Sequence, residues 1–224
     1  MNKNTIVSFV GARPNFIKLA PLAYALNRLK ITNVIVHSGQ HYDYELSNVF
    51  FDELNIPSPD YHLGVSSESS CHQVGEMLKR AEEVFREISP SMVIVFGDTN
   101  STLAGALAAT MLNIPVGHAE ASLRSFDKSM QEEINRVLVD HISDLLFPMS
   151  SSVRNLEREG IKNGVYLVGD VMFDLLKSKV KLIKRISSEV MEKYGLSKGS
   201  VFWLRFIELK MPIILGDYMA YWML

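Results

Sequence analysis

Two phrases, Val93-Ile94-Val95-Phe96-Gly97-Asp98-Thr99 and Val116-Gly117-His118-Ala119-Glu120-Ala121-Ser122-Leu123-Arg124, each run from an apolar segment onto a carboxylate. Asp98 and Glu120 thus stand where the carboxyl ends of neighbouring parallel strands would be, the edge at which open α/β sheets bind ligands. Two acids brought together there can be driven apart in pKa and divide the roles of general acid and base. A third acidic phrase, Gln131-Glu132-Glu133-Ile134-Asn135-Arg136, follows within reach of the same edge. Plainer readings compete with these. Asp98 and Thr99 also suit the amino-terminal cap of a following helix, and one of Glu132 and Glu133 should face solvent.

Cations come from the first turn, Gly11-Ala12-Arg13-Pro14. Arg13 stands beside a helix start that Pro14 favours, with Lys18 about one turn in, and free backbone N–H groups there suit a phosphate or a sugar nucleotide. The alternative is that Arg13 pairs with a structural carboxylate. A dinucleotide site would want G-x-G-x-x-G after the first strand; only Gly11 is present, which argues against NAD. His37, His62 and His72 lack ligand-like spacing, so no metal is assigned. His141 shares a helical face with Ile134, Val137, Leu138 and Leu145 and reads as a core histidine.

Alternating strand-like and helix-like runs must position these groups. Strands are expected at Thr5 to Val10, Val34 to Val36, Met92 to Phe96, Pro115 to Ala119, Leu145 to Phe147 and Val165 to Val168. Helices are expected at Asn15 to Leu29, Asp43 to Leu54, Val74 to Ile88, Ser101 to Leu112 and Glu132 to Ile142, with Pro57 to Ser70 a loop. Strands that are apolar throughout argue for a parallel sheet covered on both faces. The fold class is therefore α/β, a Rossmann-like doubly wound domain over residues 1–170. Residues 171–198 read as a helical connector whose Lys177, Lys179, Lys181, Lys184 and Arg185 form a solvated face. The stretch 199–224 holds both tryptophans in an aperiodic apolar run and reads as an atypical tail, a truncation or reading-frame accident.

Composition narrows the classes further. With 47% hydrophobic residues the chain can bury a real core, and a formal charge of -2 gives no footprint for nucleic acid or an anionic membrane. The lone Cys71 can form no internal disulfide, and Ile6 to Val10 is too short for a signal core, so a cytoplasmic location is expected.

In order, Gly11-Ala12-Arg13-Pro14-Asn15-Phe16-Ile17-Lys18-Leu19-Ala20-Pro21-Leu22, Gly39-Gln40-His41-Tyr42-Asp43, Gly97-Asp98-Thr99, His118-Ala119-Glu120-Ala121-Ser122-Leu123-Arg124, Glu132-Glu133-Ile134-Asn135-Arg136 and Val168-Gly169-Asp170 resemble the amino-terminal domain of the non-hydrolysing UDP-N-acetylglucosamine 2-epimerases. The resemblance implies one half of a glycosyltransferase B type two-domain fold. It also implies interconversion of UDP-N-acetylglucosamine and UDP-N-acetylmannosamine by elimination and re-addition of UDP across a glycal, with no cofactor. Carried over residue by residue, Asp98, Glu120 and Glu132 become the catalytic carboxylates. Arg13, Lys18 and Arg136 become substrate-binding residues, and Gln40 and His41 match an effector site of bacterial members. The expected partner is a UDP-sugar, without nucleic acid or membrane, and a homodimer is left open.

Departures accompany the match. Gln131 stands where proline is usual, and Ser122 where glycine is common, a small change if the backbone there has negative φ. A family member would continue after Gly195 into a second domain with a His-Arg-x-Glu-Asn phrase and most of the UDP-binding residues, which Ser200 to Leu224 do not contain. The expectation is thus an epimerase whose activity is impaired in this chain alone. The alternatives are a glycosyltransferase of the same architecture and a non-catalytic half protein.

Overall fold

The computed structural model describes residues 5–39, 48–65, 69–149 and 152–193. Gln40, His41 and the stretch 199–224 lie outside the described residues. Two compact units divide the chain, residues 1–179 and residues 180–224. In the second, residues 180–193 are described and are helical.

Six strands form one parallel sheet: β1 (Thr5–Val10), β2 (Thr32–His37), β3 (Tyr61–His62), β4 (Met92–Phe96), β5 (Val116–Ala121) and β6 (Leu145–Pro148). Their spatial order is β3-β2-β1-β4-β5-β6, the doubly wound order whose switch point falls between β1 and β4. Among the described residues five helices connect them, α1 (Arg13–Arg28), α2 (Asn48–Leu54), α3 (Ser70–Ile88), α4 (Asn100–Met111) and α5 (Gln131–Ile142), and two follow β6, α6 (Val153–Arg158) and α7 (Val171–Lys193).

Side chains alternate across the pleat and feed two cores. Val7, Phe9, Val93, Val95 and Val116 pack against Met77, Ala81 and Phe85 of α3 and the alanines of α4. Val10, Ile35, Ile94, Phe96 and Ala119 pack on the other face against Phe16, Leu19 and Ala20 of α1, Phe51 of α2 and Leu175 of α7. The sheet is therefore covered on both sides, which is why its central strand β4 is apolar throughout.

Two expectations need correction, and one further element is added. Pro57 to Ser70 is not loop throughout, since Tyr61 and His62 add an edge strand beside Val36 and His37. Val165 to Val168 is not a strand: Val165 makes a single bridge to Leu146, and Tyr166, Leu167 and Val168 stand exposed beyond it. Residues 153–158, unassigned from sequence, form α6.

Candidate active site

The end of β1 turns tightly into α1. A Cβ at Gly11 would fall 2.0 Å from the hydroxyls of Ser38 and Ser101, so only glycine fits between the β2 and α4 ends. Asn15 then fixes the turn. Its Oδ1 accepts from the Gly11 and Ala12 amides at 3.3 and 3.0 Å, and its Nδ2 donates to the Phe96 carbonyl at 2.8 Å. One buried amide thereby joins the carboxyl ends of β1 and β4 across the switch point. Arg13 is exposed at the first position of α1 and makes no ion pair among the described residues, so the structural-carboxylate reading of Arg13 finds no partner there.

Glu120 lies one step beyond the last register pair of β4 and β5, Phe96 with Ala119. Its φ is +66°, left-handed for a residue with a side chain, an arrangement that costs about 1–3 kcal/mol and persists only when its surroundings enforce it. Its carboxylate forms an ion pair with Lys18, which reaches up from α1 and is itself buried. Lys18 is therefore committed to Glu120 rather than standing in an open cleft. Glu120 also borders a recess of about 20 Å³ lined in part by Phe147, Gly169 and Asp170. A larger groove of about 260 Å³, between Tyr24 and Arg28 of α1 and Asp174 of α7, includes none of these edge residues.

Asp98 follows Gly97 on the same sheet edge but turns toward α5, where Arg136 pairs with it. The α4 cap falls to Thr99, whose hydroxyl accepts from the Thr102 amide at 3.3 Å. Capping thus leaves the Asp98 carboxylate to Arg136. Asn135 completes the contact by donating to the Asp98 carbonyl at 2.9 Å and to Asn100 Oδ1 at 3.1 Å. Arg136 also lies 3.4 Å from Glu133, and its buried Nε has no hydrogen-bond partner among the described residues.

The two α5 glutamates separate cleanly. Glu133 is buried and accepts from the Ser125 and Phe126 amides, each at 2.9 Å. Burial alone would raise its pKa, but those backbone bonds, with the Ser125 hydroxyl and the Arg136 charge, hold it below the ordinary carboxylate value. Glu132 is exposed one turn ahead of Arg136 and has no ion pair or hydrogen bond among the described residues.

Beneath these groups lies a buried charged network. His118, on β5, places Nε2 at 2.7 Å from the Gly97 carbonyl and Nδ1 at 2.7 Å from Asp140 Oδ1. Asp140 Oδ2 accepts from the Ser122 amide at 2.9 Å and from Arg124 Nη1 at 2.8 Å. Burial would raise the Asp140 pKa, yet the bond and charge of His118 and those of Arg124 outweigh it and hold the carboxyl low. Arg124 forks onto Glu159 at 2.7 and 2.6 Å. Burial disfavours its charge, but the bonds to Glu159 and Asp140 prevail and raise the guanidinium further.

The family model for UDP-N-acetylglucosamine 2-epimerase matches residues 25–206. The chain belongs to this family. A UDP-N-acetylglucosamine 2-epimerase homolog of Methanococcus maripaludis is 52% identical over 194 residues, covering 86% of this chain and 54% of the relative. The UDP-2,3-diacetamido-2,3-dideoxy-D-glucuronate 2-epimerase of Pseudomonas aeruginosa is 45% identical over 174 residues, 75% of this chain and 49% of the relative. The crystal structure of the Methanocaldococcus jannaschii UDP-GlcNAc 2-epimerase in complex with UDP-GlcNAc and UDP superposes with a TM-score of 0.79 at 43% identity, covering 80% of this chain and 50% of that one. The chain spans about half the length of the curated relatives it matches.

Among the epimerase phrases, Ser122 departs in a way the structure makes specific. Its φ is +76°, so the condition of negative φ under which serine for glycine would be a small change does not hold. Three bonds hold it there: its amide to Asp140, its hydroxyl to Ser152 at 2.5 Å, and its carbonyl from Asn155 at 2.9 Å. His141 is likewise no core residue; it is exposed, 3.3 Å from Glu159. Sequence reasoning passed over Asn15, Asn135, Asp140 and Glu159. A faint signal for Asp140 was its place at i+7 from Glu133 and i+4 from Arg136, a charged stripe on one face of α5.

Proposed function

We propose that the carboxyl edge formed by Gly97-Asp98 and Glu120 is one wall of the active site of a UDP-N-acetylglucosamine 2-epimerase, in the amino-terminal domain, residues 1–170, of a glycosyltransferase B type fold. The observation that carries this reading is Glu120: a left-handed, ion-paired carboxylate at the switch-point edge, beside a second carboxylate held by Arg136. Local strain at a binding edge marks function more often than stability.

The chemistry needs such groups. A carboxylate takes the proton from carbon 2 of the sugar while the bond from carbon 1 to the UDP oxygen breaks; UDP leaves with that electron pair and the C1–C2 double bond of the glycal forms. Returning UDP to carbon 1 and a proton to the opposite face of carbon 2 gives the epimer. Asp98, Glu120 and Glu132 are the proposed proton carriers, since removal and return on opposite faces call for more than one positioned acid. Arg136 orients Asp98. Arg13, exposed at the first position of α1, suits the diphosphate by its charge, since Asn15 already takes the Gly11 and Ala12 amides. Stabilising UDP as it departs is an electrostatic task of the largest kind, and the resemblance assigns most of it to the second domain. Turnover is therefore expected to need those further residues.

The test is to incubate UDP-N-acetylglucosamine in D2O with this chain, alone and mixed with the carboxy-terminal half of the Methanocaldococcus jannaschii relative. Deuterium at carbon 2 together with the C2 epimer supports the proposal. Transfer to an acceptor without deuterium incorporation, or no reaction in the mixture, would sink it. The Pseudomonas aeruginosa relative, named for a UDP-diacetamido-glucuronate, favours a second reading of the sugar alone. Running that substrate in parallel decides between them. A cytoplasmic location belongs to the same proposal; among the described residues no helix is long and apolar enough to cross a membrane.

A further inference from the structure

The Asp140 carboxylate is fully buried, far back along α5, out of reach of any ligand. Every bond it makes leads toward Glu120. Through Oδ1 it holds His118, two residues before Glu120; through Oδ2 it holds the Ser122 amide, two residues after, and Arg124, four residues after. The segment between those anchors contains both left-handed non-glycine residues of this strand end, Glu120 and Ser122.

His118 extends the hold to the neighbouring strand. The Gly97 carbonyl can only accept, so Nε2 carries a hydrogen and donates to it. Nδ1 is bonded at 2.7 Å to Oδ1 of the carboxylate whose Oδ2 takes the Ser122 amide and Arg124. One buried carboxylate thus fixes the strained end of β5 directly and the Gly97-Asp98 turn through an imidazole.

We infer that Asp140 is a positioning residue, which clamps His118, Ser122 and Arg124 so that Glu120 and the Gly97-Asp98 turn keep their places on the sheet edge. The inference rests on the functional reading of Glu120 given above. A left-handed residue reverts to an ordinary conformation unless its flanks are held, and bonds to a charged, desolvated acceptor are among the stronger ones available. Arg124 is in turn braced by Glu159, so the clamp is tied to the residue that follows α6.

A purely stabilising role and a positioning role separate in hydrogen exchange. Asp140→Asn keeps the shape and can still hydrogen-bond Nδ1, so the domain should fold. In the full chain, exchange of the Ser122 amide is expected to quicken about tenfold or more, while Val7 and Phe9 in the central strand exchange as before. Asp140→Ala should quicken the Ser122 amide further if it folds; where it does not, Asp140→Asn alone decides. Uniform acceleration through the central strand, or an unchanged Ser122 amide, would overturn the inference. In the complemented epimerase assay, Asp140→Asn should lower kcat about tenfold with KM little changed. A wild-type protein with no turnover there counts against the proposed function, whereas the exchange measurement judges the clamp separately.

Discussion

Lys18 Nζ and the Glu120 carboxylate meet over the bare Cα of Gly97: a Cβ added there would lie 2.6 Å from Lys18 Nζ and 3.6 Å from Glu120 Oε2. Gly97 also has φ of +67°, which any other residue adopts at a cost. Gly97→Ala should therefore push Lys18 off Glu120 and destabilise the domain by about 1–3 kcal/mol. Urea unfolding measures the loss. A variant as stable as the parent would show that the ion pair can shift without strain.

The pair itself should behave as a buried one. Lys18 and Glu120 side chains are 8% and 15% exposed, so removing one partner strands a charge. Lys18→Met is expected to cost about 3 kcal/mol, the low end for a broken buried pair, because Glu120 keeps some contact with solvent. Lys18→Met combined with Glu120→Gln should recover much of that loss. A double-mutant cycle from urea midpoints gives the coupling, and additivity of the two single losses would contradict the pairing.

Glu132 and Glu133 should give opposite phenotypes. Glu132→Gln, on an exposed side chain, should leave stability within about 0.5 kcal/mol and reduce complemented epimerase turnover about a hundredfold or more. Glu133→Gln should lower stability by about 1–2 kcal/mol at pH 7, since its carboxylate caps two amides of the 125–126 turn. The Glu133 pKa is depressed on folding, so its stabilisation is present above the ordinary value of 4.5 and disappears as pH falls through the lower folded value. The stability gap between parent and Glu133→Gln should accordingly narrow below about pH 4.5. A gap that persists at low pH would mean that shape, not charge, holds the turn.

How much of this was legible beforehand differs by element. Strand β4 could be read because a parallel strand buried on both faces is an unbroken apolar run, Met92 to Phe96, and β1 and β5 because polar residues interrupt their apolar runs only singly. The same rule misled at Val165 to Val168, where apolar residues lie exposed past the edge strand. Helix α5 inverted the usual pattern: Ile134 and Leu138 are exposed, while Glu133, Asn135 and Asp140 are buried. Their partners are the 125–126 amides in the preceding turn and, 37 and 22 residues away, the Asp98 carbonyl and His118, and no helical periodicity records such bonds. Asp98, Glu120 and Arg136 were visible as types at a sheet edge; that Asp98 turns to α5 and Glu120 to α1 depends on the register of two strands.

Ser122 offers a last test, because its conformation and its bonds pull in opposite directions. At φ +76° a Cβ is strained, and glycine would relieve that strain by roughly 1 kcal/mol. The hydroxyl, however, donates to Ser152 within a fully buried site, and losing such a bond costs about 1 kcal/mol. Ser122→Gly should therefore leave stability nearly unchanged. Ser122→Ala keeps the strain and loses the bond, so it should fall about 1–2 kcal/mol below Ser122→Gly. Thermal unfolding of the three proteins orders them. If alanine proves equal to glycine, the left-handed backbone carries no penalty here, and the claim that Asp140 is needed to hold it weakens with it.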